Sequence, residues 1–171
     1  MARNQNLVES VDLVTKAVNA YITKEKEAED GLLRNVEEII PYTYDDTPIE
    51  PPCVWIVQHP TITSPEFKKS INNRNFLQAT FEFVCVEYDE DLQTSIEKGQ
   101  HLATLVGQSI MKNFNKIGIG DDDEIKHIFT KVEFNTLYPV GEVSIAGKAK
   151  RVPATSIVFD FTFEIDWLKC H

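Results

Sequence analysis

The side chains best able to bind a metal or act as a base are scattered along this sequence. Its four histidines, His59, His101, His127 and His171, form neither a His-Glu-x-x-His motif nor any pair spaced four residues apart. A structural or catalytic zinc ion needs three or four protein ligands around it. Such a site would therefore have to be assembled from distant segments, and we expect no metal site.

The cysteines, the glycines and the acidic run also lack a spacing that indicates chemistry. Cys53, Cys85 and Cys170 form no close pair, which is typical of a reducing compartment. Residues 118–120 read Gly-Ile-Gly but are followed by acids instead of a third glycine, so no phosphate-binding loop is indicated. The acids at 121–124 lack the closing Glu of a calcium loop. We predict that the chain is not an enzyme and binds no cofactor.

The composition indicates one globular domain with an acidic surface. The chain has 171 residues, of which 42% are hydrophobic, and a net charge of -10. This length suits a single domain spanning residues 1–171. The negative charge opposes binding to nucleic-acid phosphates and to anionic membranes. The sequence shows no signal peptide and no apolar run of about 20 residues, so we expect a cytosolic protein.

The first half of the chain is predicted to begin with a helix. Apolar residues recur at helical spacing between Leu7 and Ile22, and Leu32 to Ile40 is interpreted as a short second helix. A proline-rich connection leads to the apolar run Cys53 to Val57, which indicates a strand. Residues 61–75 are polar and are predicted to form an exposed loop.

A long strand and a long helix follow. Between Phe76 and Tyr88, apolar and polar residues alternate, as in a strand with one buried face; Cys85 falls on the apolar face. Asp91 is a suitable N-cap for a helix from Leu92 to Phe114. Gly99 lies within the apolar face of that helix and predicts a close approach to a sheet.

Two strands joined by a hairpin are predicted to complete the domain. The first spans about residues 128–138, and the last, Ser156 to Trp167, alternates large apolar residues with acids. Residues 139–155 between them are interpreted as a projecting hairpin or loop. This order predicts an α+β fold: a two-layer sandwich of a mainly antiparallel sheet with helices on one face.

A basic cluster stands out in the predicted hairpin. Lys148, Lys150 and Arg151 are an exception in an acidic chain. Two interpretations remain open. The cluster is either a solvated tip or a contact arm that meets an acidic patch on another subunit.

The order of these elements carries a resemblance over nearly the whole chain. An amphipathic helix leads through prolines to the strand Cys53–Val57, and Phe76–Tyr88 turns through Asp89-Glu90-Asp91 into a long helix. A strand, the hairpin-like segment 139–153 and a final alternating strand follow. This arrangement resembles the tail terminator (tail completion) family of tailed bacteriophages.

The resemblance implies a structural function without catalysis. Family members are small α/β subunits that close into a ring, typically a hexamer, which caps the tail tube and joins it to the head. The implied partners are other copies of the chain, tail-tube proteins and neck or connector proteins, with DNA passing through the ring without specific binding. The implied location is the virion, and the host cytoplasm during assembly. The alternatives are a soluble protein-interaction adaptor and a small enzyme whose site matches no motif.

Four acids are candidates for a surface that faces such a channel. Glu82, Asp160, Glu164 and Asp166 alternate with the apolar positions of their strands, so they are predicted to share the polar face of the sheet. Neighbouring like charges destabilise a sheet. Either water solvates this face, or it borders the channel and repels the DNA phosphates.

Overall fold

Two helices and a five-stranded sheet form most of the described chain. The computed structural model describes residues 7–41, 51–63, 75–119, 126–127, 129–144 and 151–165. In chain order the elements are α1 (Leu7–Glu27), β1 (Glu38–Pro41), β2 (Cys53–Thr63), β3 (Asn75–Val86), α2 (Leu92–Asn113), β4 (Gly118–Ile119), β5 (Lys126–His127), β6 (Phe129–Ser144) and β7 (Arg151–Ile165).

The sheet is mixed but mainly antiparallel. Its strand order is β1-β2-β3-β7-β6, and the short strands β4 and β5 form a separate pair. Only β1 and β2 run parallel within the larger sheet; β2–β3, β3–β7 and β6–β7 are antiparallel. The α+β class predicted from the sequence is therefore confirmed.

Both helices cover the same face of this sheet. Val18 and Ile22 of α1 share one buried cluster with Val106 and Ile110 of α2 and with the apolar faces of β3 and β7. The members of that cluster on the two strands are Ala79, Phe81, Phe83, Cys85, Ile157, Phe159, Phe161 and Phe163. Burial of each large side chain contributes about 1.5–3 kcal/mol, so the alternation fixes which face of each strand points inward.

Aromatic contacts join three strands at the centre of the core. The Phe161 ring meets Phe81 of β3 at 5.3 Å between centroids and Phe129 of β6 at 5.0 Å, both edge to face. Phe81 and Phe161 are 0% exposed. These contacts fix the register of β7 between its neighbours.

A buried tyrosine joins the two helices. The Tyr21 hydroxyl donates to the Ser109 carbonyl oxygen at 3.0 Å, and its oxygen lies 3.0 Å from the Ser109 hydroxyl. Burial raises the pKa of Tyr21 to about 12, so the phenol stays protonated and keeps its donor.

Helix α2 begins and packs largely as predicted. The Asp91 carboxylate accepts the Thr94 N–H at 2.8 Å and caps the first turn. Gly99 is buried, and a Cβ there would lie 3.5 Å from the Thr155 hydroxyl. The closest approach occurs at Gly107, where a Cβ would lie 2.9 Å from the tip of Ile157.

The chain between the helices differs from the prediction. The expected helix from Leu32 to Ile40 is wrong, because its last residues form β1, in which Ile40 pairs with Trp55 of β2. The strand predicted over Cys53–Val57 continues to Thr63, into the region predicted as a loop. Residues 64–74 lie outside the described part.

The sheet face away from the helices carries a second, smaller apolar cluster. It joins β1, β2, β3 and β7 through Ile40, Cys53, Val84, Val86, Val152 and Ala154. Burial, as the largest cause, raises the pKa of Cys53 to about 12 and raises that of Cys85 as well. Both thiols are therefore protonated at neutral pH and are poor nucleophiles.

Candidate interaction surfaces

The hairpin of β6 and β7 extends beyond the rest of the sheet. Strand β3 ends at Val86, opposite Ala154. The β6–β7 ladder continues past that point, with Val143 opposite Val152 and Ser144 opposite Arg151. The last residues of β6 and the first residues of β7 therefore lie beyond the register of β3.

Only one residue of the basic cluster lies in the described part of this hairpin. Arg151 Nη1 lies 3.8 Å from Glu142 Oε2 of the facing strand, and both side chains are exposed. Lys148 and Lys150 lie outside the described residues. Arg151 already has an acidic partner in its own hairpin, although an exposed pair of this kind contributes little to stability.

Three of the four predicted acids share the sheet face away from the helices. Glu82 pairs with Val158 and Thr80 with Asp160 in the β3–β7 ladder, and Phe76 pairs with Glu164. These positions alternate with the buried phenylalanines, so Glu82, Asp160 and Glu164 point away from the core. Asp166 lies outside the described residues.

Polar neighbours offset the charge on this face. The Asp160 carboxylate accepts the Thr80 hydroxyl at 2.6 Å and the Asn135 amide at 2.8 Å. His59 Nε2 lies 3.3 Å from Glu82 Oε2. Glu133 of β6 pairs with Asp160 in register; its carboxylate lies 2.6 Å from the Lys131 ammonium group. Beside the smaller apolar cluster, this face therefore carries a hydrogen-bonded polar region in which the acids have partners.

A second charged cluster lies at the turn from β3 to α2. The Lys98 ammonium group lies 2.7 Å from the Asp89 carboxylate; this hydrogen bond lowers the pKa of Asp89 and raises that of Lys98. Burial raises the pKa of Glu87, against the opposing effects of Lys98 and His101. The Ser95 hydroxyl accepts the Asp89 N–H at 2.6 Å. The cluster fixes the start of α2 and has a structural role.

A groove runs between α2 and β6 on the helix-covered side of the sheet. It has a volume of about 450 Å³ and is lined by Gln100, Ala103, Thr104, Leu137, Pro139, Thr155 and Ile157. Its end is closed where the Gln100 amide and the Thr155 hydroxyl both donate to the Pro139 carbonyl oxygen, at 3.2 and 3.0 Å. These bonds connect the outer strand to α2 and to β7 at this end of the groove.

Sequence reasoning missed this groove. Leu137 and Phe134 lie in a predicted strand, where they resemble core residues, yet they are 47% and 53% exposed. Helix α2 packs over β7 and β3 and leaves the outer side of β6 uncovered. The sequence feature that could have indicated an exposed contact surface here is the absence of charged residues from positions 134–141.

The described residues contain no group of three or more His, Cys, Asp or Glu side chains placed to hold a metal ion. Within the same residues, neither helix is long and apolar enough to cross a membrane. A scan against protein-family models found no match, and a search of curated proteins found no similar sequence.

Proposed function

We propose that this protein is a structural subunit of the tail or neck of a tailed bacteriophage. Copies of the chain would form a ring that caps the tail tube and joins it to the head. The subunit would act as a tail terminator, by contact and without catalysis. DNA would pass through the ring without being bound.

The observation that carries this proposal is the exposed outer strand of the long β6–β7 hairpin. Strands β6 and β7 have 16 and 15 residues, against about 5–6 in an average strand. Large apolar side chains of β6 are exposed and do not belong to the buried cluster between the helices and the sheet. Exposed apolar patches of this kind mark protein contact surfaces.

The element order also supports the proposal. Helix α1, the long strand β3, the crossover helix α2 and the hairpin follow one another as in the resemblance drawn from the sequence. The polar face with Glu82, Asp160 and Glu164 gives the ring a surface without described basic clusters, as a channel wall for DNA requires.

The mass of the purified protein in solution, followed by electron microscopy, tests this function. We expect one discrete oligomer, seen as a ring with a central opening, which binds to one end of isolated tail tubes. A protein that remains monomeric at all concentrations and leaves tail tubes bare would contradict the proposal. The exposed strip of β6 would then fit the adaptor interpretation, in which one copy binds a different protein.

A further inference from the structure

Large apolar side chains are concentrated on the outer strand of the sheet. Of the eight large hydrophobic residues exposed among the described residues, four lie within seven positions of β6: Phe134, Leu137, Tyr138 and Val140. They are between 47% and 58% exposed. Single exposed apolar residues are ordinary. Phe134 and Leu137 lie opposite Phe159 and Ile157 of β7, so they share the helix side of the sheet, whereas Tyr138 lies opposite Ser156 on the other face. An exposed apolar group such as Phe134 and Leu137 marks a binding surface.

This surface carries no charge in a highly charged chain. Between Glu133 and Glu142, β6 has eight consecutive uncharged residues, whereas 26% of the chain is charged. The facing row of α2 is also uncharged. Gln100 and Thr104 line the groove, and Gly107 and Met111 continue the same row at helical spacing along α2. We call residues 134–141 and this row of α2 the neutral strip.

The missing charge indicates a second copy of the same chain as the partner. Each copy carries a net charge of -10, so two copies repel one another wherever acids meet. The neutral strip is a surface where two such copies can touch without opposing carboxylates. A nucleic acid would need basic residues instead.

The strip is long enough for an interface. Eight strand residues at ~3.3 Å each span about 26 Å. A standard interface buries ~800 Å² on each partner, which corresponds to a square with sides of about 28 Å. The groove beside β6 adds a concave site of about 450 Å³ for side chains of the partner.

The edge of β6 favours side-chain packing over the addition of another strand. Pro139 has no N–H to donate. The register with β7 shifts between Phe134 and Thr136 and again between Tyr138 and Gly141. Prolines and bulges protect sheet edges against strand pairing.

We propose that the neutral strip is the surface on which the neighbouring copy docks, with apolar side chains of that copy seated in the groove between α2 and β6. The proposal rests on the ring function proposed above. It assigns one of the two contacts that each subunit of a closed ring makes with its neighbours.

The variant Leu137→Glu tests this assignment, with Leu92→Glu as the matched control. Leu92 is 64% exposed at the start of α2 and does not line the groove, so both variants exchange an exposed leucine for the same charge. Sedimentation over a range of concentrations measures association, and thermal melting checks the fold. A charge in the contact should weaken association of Leu137→Glu at least tenfold. Leu92→Glu should assemble as the wild type does.

A second variant covers the case in which Leu137→Glu fails to fold. Thr104→Glu changes an exposed helix residue on the opposite wall of the groove, and it should weaken association to a similar extent. If the wild type forms rings and the folded variants assemble equally well, the neutral strip is not the contact, and the ring function stands. A wild type that stays monomeric would overturn both proposals.

Discussion

At the scale of single residues, Asp91 links the stability of this fold to pH. Its carboxylate accepts the Thr94 N–H and the Thr94 hydroxyl at 2.8 and 2.7 Å. These bonds hold the pKa of Asp91 below its usual range. A lowered pKa stabilises the folded state above the usual aspartate value of about 3.9, and this contribution is lost as the pH falls through the folded-state pKa.

Asp91→Ala should therefore lower the unfolding midpoint most above about pH 4, with a difference from the wild type that shrinks as the medium becomes more acidic. Asp91→Asn is the matched control, because an amide oxygen can still cap the helix without titrating. Thermal melts between about pH 2 and pH 7 measure the effect. A difference that does not vary with pH would contradict the assigned role of the carboxylate.

Phe161 shows how much one buried side chain contributes. Because it is 0% exposed and contacts both neighbouring strands, Phe161→Ala should cost about 3–5 kcal/mol. This is a large part of the ~5–15 kcal/mol of a typical domain. Phe134→Ala makes the same change at a residue that is 53% exposed and should cost much less. Denaturant unfolding measures both variants, and equal losses would show that burial is not the cause.

At the scale of elements, the two buried glycines of α2 differ in the space around them. A Cβ at Gly99 would make ordinary contacts, starting 3.5 Å from Thr155 Oγ1, whereas one at Gly107 would force Ile157 to move. Gly99→Ala should therefore stabilise the protein by about 0.5–1 kcal/mol through the helix alone. Gly107→Ala should gain less or nothing. A larger gain at Gly107 would show that α2 does not press on β7 there.

The basic residues of the predicted hairpin carry a separate prediction about assembly. Replacing Lys148 and Lys150 with Glu should weaken ring formation if the tip meets an acidic patch on a neighbour. Arg151 is left unchanged, because Glu142 is already its partner. The control exchanges Lys112 and Lys116, exposed near the end of α2, for Glu. Equal loss in both, measured by sedimentation, would point to net charge alone and favour the solvated tip.

The elements with strong alternation were predictable from the sequence, and the elements that depend on distant partners were not. The inner faces of β3 and β7 were predictable from residues such as Phe81 and Phe161, because successive side chains of a strand point to opposite faces of the sheet. Leu32, Val36 and Ile40 are spaced as in a helix, yet Ile40 joins a strand because β2 lies beside it. The neutral strip could not be predicted from the sequence, because the exposure of Leu137 depends on how far α2 extends over the sheet.

At the scale of the whole molecule, the proposed channel role of the face with Glu82, Asp160 and Glu164 leads to a prediction about DNA. Glu133→Lys with Glu164→Lys reverses two exposed charges on this face. Rings of this variant should hold duplex DNA at low salt and release it as salt rises, since screening limits the attraction to ~8 Å at physiological ionic strength.

The control for this experiment makes the same change in charge on the helix side. Glu90→Lys with Glu97→Lys alters two exposed acids at and near the start of α2 and should leave the rings unable to retain DNA. Filter binding at several salt concentrations compares the two variants. If both retain DNA equally, or neither does, the polar face does not border the channel.

The position of β7 between β3 and β6 governs how this chain can fold during synthesis. Thr80 and Asp160 meet across the β3–β7 ladder although 80 residues separate them. Strands β1, β2 and β3 leave the ribosome long before β7 has been synthesised. One edge of β3 then has no strand to pair with. Contacts of such long range slow folding, because a large loop must close before they stabilise anything. The nascent chain therefore carries an incomplete, aggregation-prone sheet until β7 emerges, and the aromatic core closes as a late step.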